Sequence, residues 1–316
     1  MKRVVLTGAS GFVGANLARR LVADGHRVHL LLRPAHQPWR LEGLHDTEQH
    51  EVDLADRDAT QRVISAIKPE WVFHLAASGA YSWQRDAQRI VGTNLTSLIH
   101  LLDACVDAEA FVNTGSSSEY GCKDHAPHES ETVEPNSTYA VTKVAATHYC
   151  RFVAQRDQRW VPTLRLYSVY GPYEEPNRLL PQLIVHGRRG GFPSLASPDI
   201  ARDYVYVDDV VDAYLRAVER RSEDPGAVYN VGSGRQTSLR DIVAVAAETF
   251  GISVEPVWGG MPNRAWDTTV WVSHIDKIGR ELAWHPTVTV AQGFRAMNQW
   301  FDGIDLDVYL ARSHAR

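Results

Sequence analysis

Val4-Val5-Leu6-Thr7-Gly8-Ala9-Ser10-Gly11-Phe12-Val13-Gly14 joins two hydrophobic patterns through three glycines. Val4 to Leu6 form an unbroken aliphatic run, whereas Phe12, Val13, Leu17, Leu21 and Val22 recur near helical spacing. The order predicted is strand, turn, helix. Gly8 permits the tight turn, Gly11 lets the backbone approach a pyrophosphate, and Gly14 lets the helix pack against the strand. A helix N-terminus placed there offers amide donors and a positive dipole to phosphate. Thr7, Gly8, Ser10, Gly11, Phe12, Val13 and Gly14 are therefore expected to cradle a dinucleotide. The Gly-x-x-Gly-x-x-Gly spacing differs by one residue from Gly-x-Gly-x-x-Gly, and a plain strand-to-helix turn is the alternative. The position directly behind a strand favours the cradle.

A second strand, Arg27 to Leu32, runs into Arg33-Pro34. A NAD-selective site places a carboxylate at that strand end, on the adenosine ribose. Here Arg33 offers a guanidinium to a 2′-phosphate instead, so NADP(H) is preferred and NAD(H) remains possible. Asp53-Leu54 ends the next short strand. Asp53 either accepts from the adenine amino group or caps a helix, and the residues alone do not separate the two.

A chain of 316 residues can bury a substantial core, and alternating strands and helices point to an α/β body. The expected fold is a Rossmann-like doubly wound parallel sheet with a smaller, interleaved C-terminal lobe. Residues 1–166 plus about 203–232 would form the dinucleotide domain, and about 167–202 plus 233–316 the substrate lobe. A net charge of −5 with scattered arginines provides no basic stripe for nucleic acid, so a small-molecule partner is expected. The odd count of three cysteines, Cys105, Cys122 and Cys150, lacks metal or redox spacing and fits a reducing compartment. A strand at the very N-terminus and the lack of a membrane-length apolar run suggest a cytoplasmic protein without signal peptide or span. Cys122, Asp124, His125, His128 and Glu129 look like metal ligands at first glance. Gly121 and Pro127 among them favour a solvated loop, so no metal is expected.

Trp71 to Ala77 reads as a buried strand running into small residues, over which a cofactor can lie closely. Phe111 to Gly121 repeats the pattern with a serine run, Ser116-Ser117-Ser118, at its tip, and open α/β sheets bind ligands at such carboxyl ends. Tyr139 and Lys143 lie one helical turn apart further on. At about 4 Å and an effective dielectric near 20, the ammonium favours the phenolate by roughly 4 kcal/mol, or about three pKa units at most. That would bring the phenol near pH 7, where it serves as a general acid or base.

Together these motifs resemble the extended short-chain dehydrogenase/reductase family, the nucleotide-sugar epimerase, dehydratase and reductase group. The resemblance covers nearly the whole chain. It rests on Thr7 to Gly14, His74-Leu75-Ala76-Ala77, Asn94, Ser116 to Gly121, Tyr139 with Lys143, Arg165 to Pro172, Arg202 to Asp209, and Tyr229-Asn230-Val231-Gly232. It implies that Ser116 is the catalytic hydroxyl, Tyr139 the acid/base, and Lys143 the group that binds the nicotinamide ribose and tunes the tyrosine. It also implies cofactor contacts at Leu75, Ala76, Ala77, Asn94, Tyr167 and Val169, and substrate contacts at Ser116, Ser117, Ser118, Ser168, Leu180, Arg202 and Arg264. Either arginine is alternatively a surface ion pair. Ser168 stands where the family carries Asn, and a late Asp of the family is replaced near His274.

The family's 4,6-dehydratases place carboxylates directly after the catalytic hydroxyl, because elimination needs a base and an acid. This chain has Ser117 and Ser118, and alternation turns Glu119 elsewhere. A dehydratase is disfavoured. Reduction at C4 of a nucleotide-diphospho-4-keto-6-deoxyhexose is the expectation, on Arg33 and on a Ser-Glu-Tyr-Gly stretch similar to that of the 4-ketoreductases. A 4-epimerase is the alternative, and a silent dinucleotide-binding sensor is less favoured. Long helical stretches at about Ala87 to Val106 and Tyr139 to Asp157 correspond to helices that pair as a four-helix bundle in the family, implying a homodimer.

Overall fold

A computed structural model describes residues 1–262 and 267–313. The first half runs β1 (Arg3–Thr7), α1 (Phe12–Ala23), β2 (Arg27–Leu32), β3 (Thr47–Glu51), α2 (Arg57–Ile67), β4 (Trp71–His74), α3 (Ala87–Val91), α4 (Ser97–Ala104), β5 (Ala110–Ser116) and α5 (Thr138–Asp157). There follow β6 (Thr163–Leu166), β7 (Ser168–Tyr170), α6 (Leu179–Gly187), β8 (Ala201–Arg202), β9 (Tyr204–Tyr206), α7 (Val207–Glu219) and β10 (Val228–Val231). The chain ends with β11 (Thr237–Ser238), α8 (Leu239–Phe250), α9 (Asp276–Leu282), α10 (Val290–Trp300) and α11 (Leu306–Ala311).

Seven strands pair in the order β10-β6-β5-β4-β1-β2-β3, every pair parallel. This is the doubly wound sheet expected from the sequence. Its order reverses between β1 and β4, so the crevice for a ligand opens at the carboxyl ends of those two strands, where the glycine turn lies. Alternation along β1 explains why a continuous aliphatic run is needed. Val4 and Leu6 enter a core with Leu17 and Leu21 of α1 and Val210 and Tyr214 of α7, while Val5 enters a second core with Ile64 of α2, Leu98 of α4 and Cys150 of α5. Each fully buried aliphatic side chain there contributes roughly 1.5–3 kcal/mol. A third core, with Leu180 and Ile184 of α6, Ile242 of α8, Phe294 of α10 and Tyr309 of α11, lies apart from these two. Two small sheets, β7 with β9 and β8 with β11, accompany it.

The predicted helix from Ala87 is interrupted. A π turn at Gly92–Thr96 separates α3 from α4. The apolar pattern does not reveal that extra residue, because the segment stays helical on both sides. α5 matches its expected span, and its cap is Ser137, whose hydroxyl accepts from the Ala140 amide. No helix among the described residues is long and apolar enough to cross a membrane.

Candidate active site

The glycine turn closes tightly on β4. Gly8 has a φ of +73°, and a Cβ there would lie 2.6 Å from the Leu75 carbonyl carbon. A Cβ on Gly14 would collide with the Gly8 carbonyl oxygen, which is why the helix carries no side chain at that point. Gly11 is different. Its Cβ would meet only the Gly8 oxygen, at 3.1 Å, and its backbone is ordinary extended chain. Gly11 is the N-cap of α1 and supplies no side-chain cap, so bareness at this position leaves the first-turn amides of Phe12 and Val13 open to an anion. The cradle thus fits a dinucleotide pyrophosphate.

Thr7 proves to be a strut. Its hydroxyl accepts from the Leu75 and Ala76 amides, each at 3.2 Å, and lies 2.9 Å from His74 Nδ1. Burial pushes the His74 imidazolium down to about 3, so the ring is neutral. With both amides donating to Thr7, the threonine proton goes to His74 Nδ1. Asn94, projected by the π turn, is likewise buried: it accepts from the Ser78 amide at 2.7 Å and donates to the Ser78 carbonyl and the Thr142 hydroxyl. It therefore fixes the loop after β4 against α5. The exposed Ala77 lies in that loop.

At the edge of the cradle Arg33 is exposed directly after β2, with no carboxylate beside it in the sequence. Asp53 is not a helix cap. Its Oδ1 accepts from the Ala55 amide in a local turn, and Asp56 caps α2 by accepting from Ala59. Leu54 is buried, and its carbonyl accepts from His100.

Ser116 ends β5 and caps a short 3-10 turn, Ser117–Tyr120. Its hydroxyl oxygen accepts from the Ser118 amide at 3.1 Å, and the hydroxyl acts to lower the Tyr139 phenol's pKa against burial. Ser117 is buried and Ser118 half-buried in that turn. Glu119 is fully committed elsewhere. One oxygen accepts from the Ser116 amide at 2.9 Å, and the other from Arg165 Nε and the Thr147 hydroxyl, each at 2.9 Å. With side chains 0% and 4% exposed, Glu119 and Arg165 form a buried pair beneath Ser116. Glu119 therefore has no free oxygen for acid or base work, and its role is to hold the serine in place.

Lys143 and Tyr139 meet, but not as the spacing suggested. Lys143 Nζ donates to the Thr114 carbonyl at 2.9 Å and lies 5.7 Å from the centre of the Tyr139 ring. Burial pushes Tyr139 up to about 12, opposed by the Ser116 hydrogen bond, and pushes Lys143 down to about 8, opposed by Glu119. Burial thus raises the phenol instead of bringing it near pH 7, and the ammonium is turned towards β5.

The residues expected to grip substrate divide. Arg202 donates to Asp267 at 2.9 Å and lies 5.5 Å from the Trp271 ring, so it takes part in an ion pair. Arg264 lies outside the described residues. Leu180 is buried in the third core and does not line an open site with its side chain. Tyr167 is buried, its hydroxyl without a hydrogen-bond partner, while Ser168 and Val169 are half-buried in β7. Near His274 the Nδ1 atom is buried without a partner, and the ring packs 3.6 Å from that of His128. In the loop once weighed as a metal site, His125 bridges Asp124 and Glu131 at 2.7 and 2.8 Å.

Sequence reading missed Arg178. It is the N-cap of α6, a helix with no side-chain cap, and its charge acts on Tyr139, Tyr81 and Tyr204. Glu174, 3.6 Å away, is its partner; burial pushes that carboxyl up to about 8. The signal was an arginine before an apolar helical run, which any solvated helix start also shows. Asp203 was also missed as a hub. It accepts from the amides of Ser233, Gly234 and Ser273 and from two serine hydroxyls, tying the chain between β8 and β9 to the loops after β10 and before α9.

Residues 4–232 match the NAD dependent epimerase/dehydratase family. The chain belongs to that family. It is 32% identical to the UDP-glucose 4-epimerase of Mycolicibacterium smegmatis, over 95% of this chain and 98% of that one. It is 28% identical to the GDP-6-deoxy-D-mannose reductase of Pseudomonas aeruginosa, over 95% and 97% of the two chains. The crystal structure of the UDP-glucuronic acid 4-epimerase of Bacillus cereus, in complex with UDP-glucuronic acid and NAD, superposes with a TM-score of 0.84 at 25% identity, covering 96% and 99% of the chains. Membership of the epimerase/dehydratase family accounts for the switch-point cradle and the Ser116, Tyr139, Lys143 grouping at one sheet end.

Proposed function

We propose that this protein reduces the C4 keto group of a nucleotide-diphospho-4-keto-6-deoxyhexose with NADPH, NADH being the weaker donor. The observation that carries the direction is Arg33, a cation where a NAD site needs a carboxylate. A reduced nicotinamide dinucleotide, when bound, would supply the hydride for C4. Tyr139, held protonated by burial, gives its proton to the keto oxygen; Ser116 donates a hydrogen bond to the same atom. The C=O bond becomes C–OH, and the phenolate recovers a proton from solvent. Lys143 binds the nicotinamide ribose and orders the end of β5 through Thr114. Glu119, locked to Arg165, leaves no base for elimination. The diphosphate is assigned to Arg178 with the open N-terminus of α6, and to Arg202, within a substrate lobe of about residues 167–202 and 233–316.

A 4-epimerase is the second reading, favoured by the M. smegmatis and B. cereus relatives. Steady-state oxidation of NADPH and NADH is to be measured with CDP-, dTDP- and GDP-linked 4-keto-6-deoxyhexoses. Turnover with NADPH preferred, and reversal of that preference in Arg33→Asp, is expected. Tightly bound NAD in the purified protein, with sugar interconversion needing no reductant, would instead establish the epimerase.

The homodimer is proposed on an exposed stripe of α5. Val141, Ala145, His148 and Phe152 follow one another at helical spacing, Val141 and Phe152 being more than half exposed, and Val91 on α3 is also exposed.

A further inference from the structure

The far edge of the sheet carries a second polar cluster. β3, Thr47-Glu48-Gln49-His50-Glu51, contains no apolar residue and is held as an edge strand only by β2. In the parallel register His29 lies opposite Glu48, and His50 lies two residues further along β3. Alternation puts all three side chains on one face of the sheet. His29 Nδ1 is 3.1 Å from His50 Nε2 and 3.5 Å from Glu48 Oε2. One ligand atom from each of the three residues falls within 4.8 Å of the others.

These separations have a chemical meaning. A tetrahedral ion with bonds of about 2.0–2.1 Å sets its ligand atoms about 3.3 Å apart. The two distances bracket that value. Glu48 is also oriented: Arg27 Nε holds its Oε1 at 2.7 Å, which leaves Oε2 towards the histidines. His29 is buried, and its other nitrogen, Nε2, has no hydrogen-bond partner among the described residues, so none of them holds the ring in either tautomer. His50 lines a cavity of about 390 Å³ with Ala59, Arg62 and Val63 of α2, where a water can complete the coordination. The charged groups acting on His29 are Glu48, Arg27 and Arg3, and Arg62 lines the cavity beside His50.

We propose that His29, His50 and Glu48 form a three-ligand site for a zinc-class divalent ion that fastens β3 to β2. Imidazole and carboxylate ligands at this spacing select such an ion over magnesium or calcium, which require more oxygen ligands. A hydrogen bond between the two histidines alone would give similar distances, and binding separates the two readings. Cobalt(II) titrated into the metal-stripped full chain is expected to give the visible bands of a tetrahedral centre at one equivalent, lost on adding zinc. His50→Gln and Glu48→Gln should each weaken binding at least about tenfold, consistent with loss of one of three ligands. Both lie at the strand edge. His125→Gln, in the exposed 121–131 loop, should leave the bands intact. Zinc should raise the melting temperature of the wild type and not of the two ligand variants. Absent bands, bands that survive both ligand variants, or bands lost with His125→Gln would each overturn the site.

Discussion

Tyr139 and Lys143 show how far a pair of residues can be understood in isolation. Their spacing gives proximity, but the carbonyl of Thr114 claims the ammonium and burial controls the phenol. Tyr139→Phe should lower ketoreductase turnover by about 10²–10⁴-fold, the range for a lost general acid, while cofactor binding by fluorescence titration stays close to wild type. Undiminished turnover would remove Tyr139 from the mechanism. Lys143 gives a pH signature. Its folded-state value of about 8 lies below its ordinary 10.5, so between these values the unfolded chain binds the proton more tightly. Stability should therefore rise with pH from about 8 towards 10.5, with the full cost of the buried charge present below 8. Denaturant melts of wild type and Lys143→Met across that window should show this slope in the former only. Ser116, Tyr139 and Lys143 were legible in the sequence because each is tied to a motif. Arg178 was not, since its proximity to three tyrosines is made by a chain reversal that local spacing does not encode.

Among the elements, the strand-turn-helix unit was the easiest to foresee, because its glycines recur at a fixed spacing directly behind a strand, and Gly8 and Gly14 have a steric reason for that spacing. The π turn and the partners of Glu119 were hidden. Strand alternation turns Glu119 away from the site, but the residue sits in a 3-10 turn after β5, and its side-chain partners come from α5 and β6, joined to it only by the tertiary fold. Glu119→Ala should destabilise the protein by about 3–5 kcal/mol in chemical denaturation, the penalty for leaving the buried Arg165 charge without its carboxylate. Residual folded protein should still reduce substrate, more slowly, as Ser116 loses the acceptor that fixes its amide. A variant as stable as wild type would show that the pair is not holding the 3-10 turn.

At the level of the whole molecule, the doubly wound parallel sheet followed from alternating strands and helices, while its strand order and the ties made by Asp203 did not: Asp203 looks like any polar residue between two short strands. The exposed stripe on α5 leads to a prediction for assembly. Val141→Asp combined with Phe152→Asp should convert a dimer to a monomer in sedimentation velocity, and an unchanged sedimentation coefficient would place the contact elsewhere. Asn94 has a consequence that reaches across all these levels. One amide takes its bearings from the Ser78 backbone and from Thr142, which itself donates to the Tyr139 carbonyl. The loop after β4 and helix α5 thus share a single surveying mark, so under the proposed reduction the distance between hydride and proton would be set once, and any error in it would be common to both.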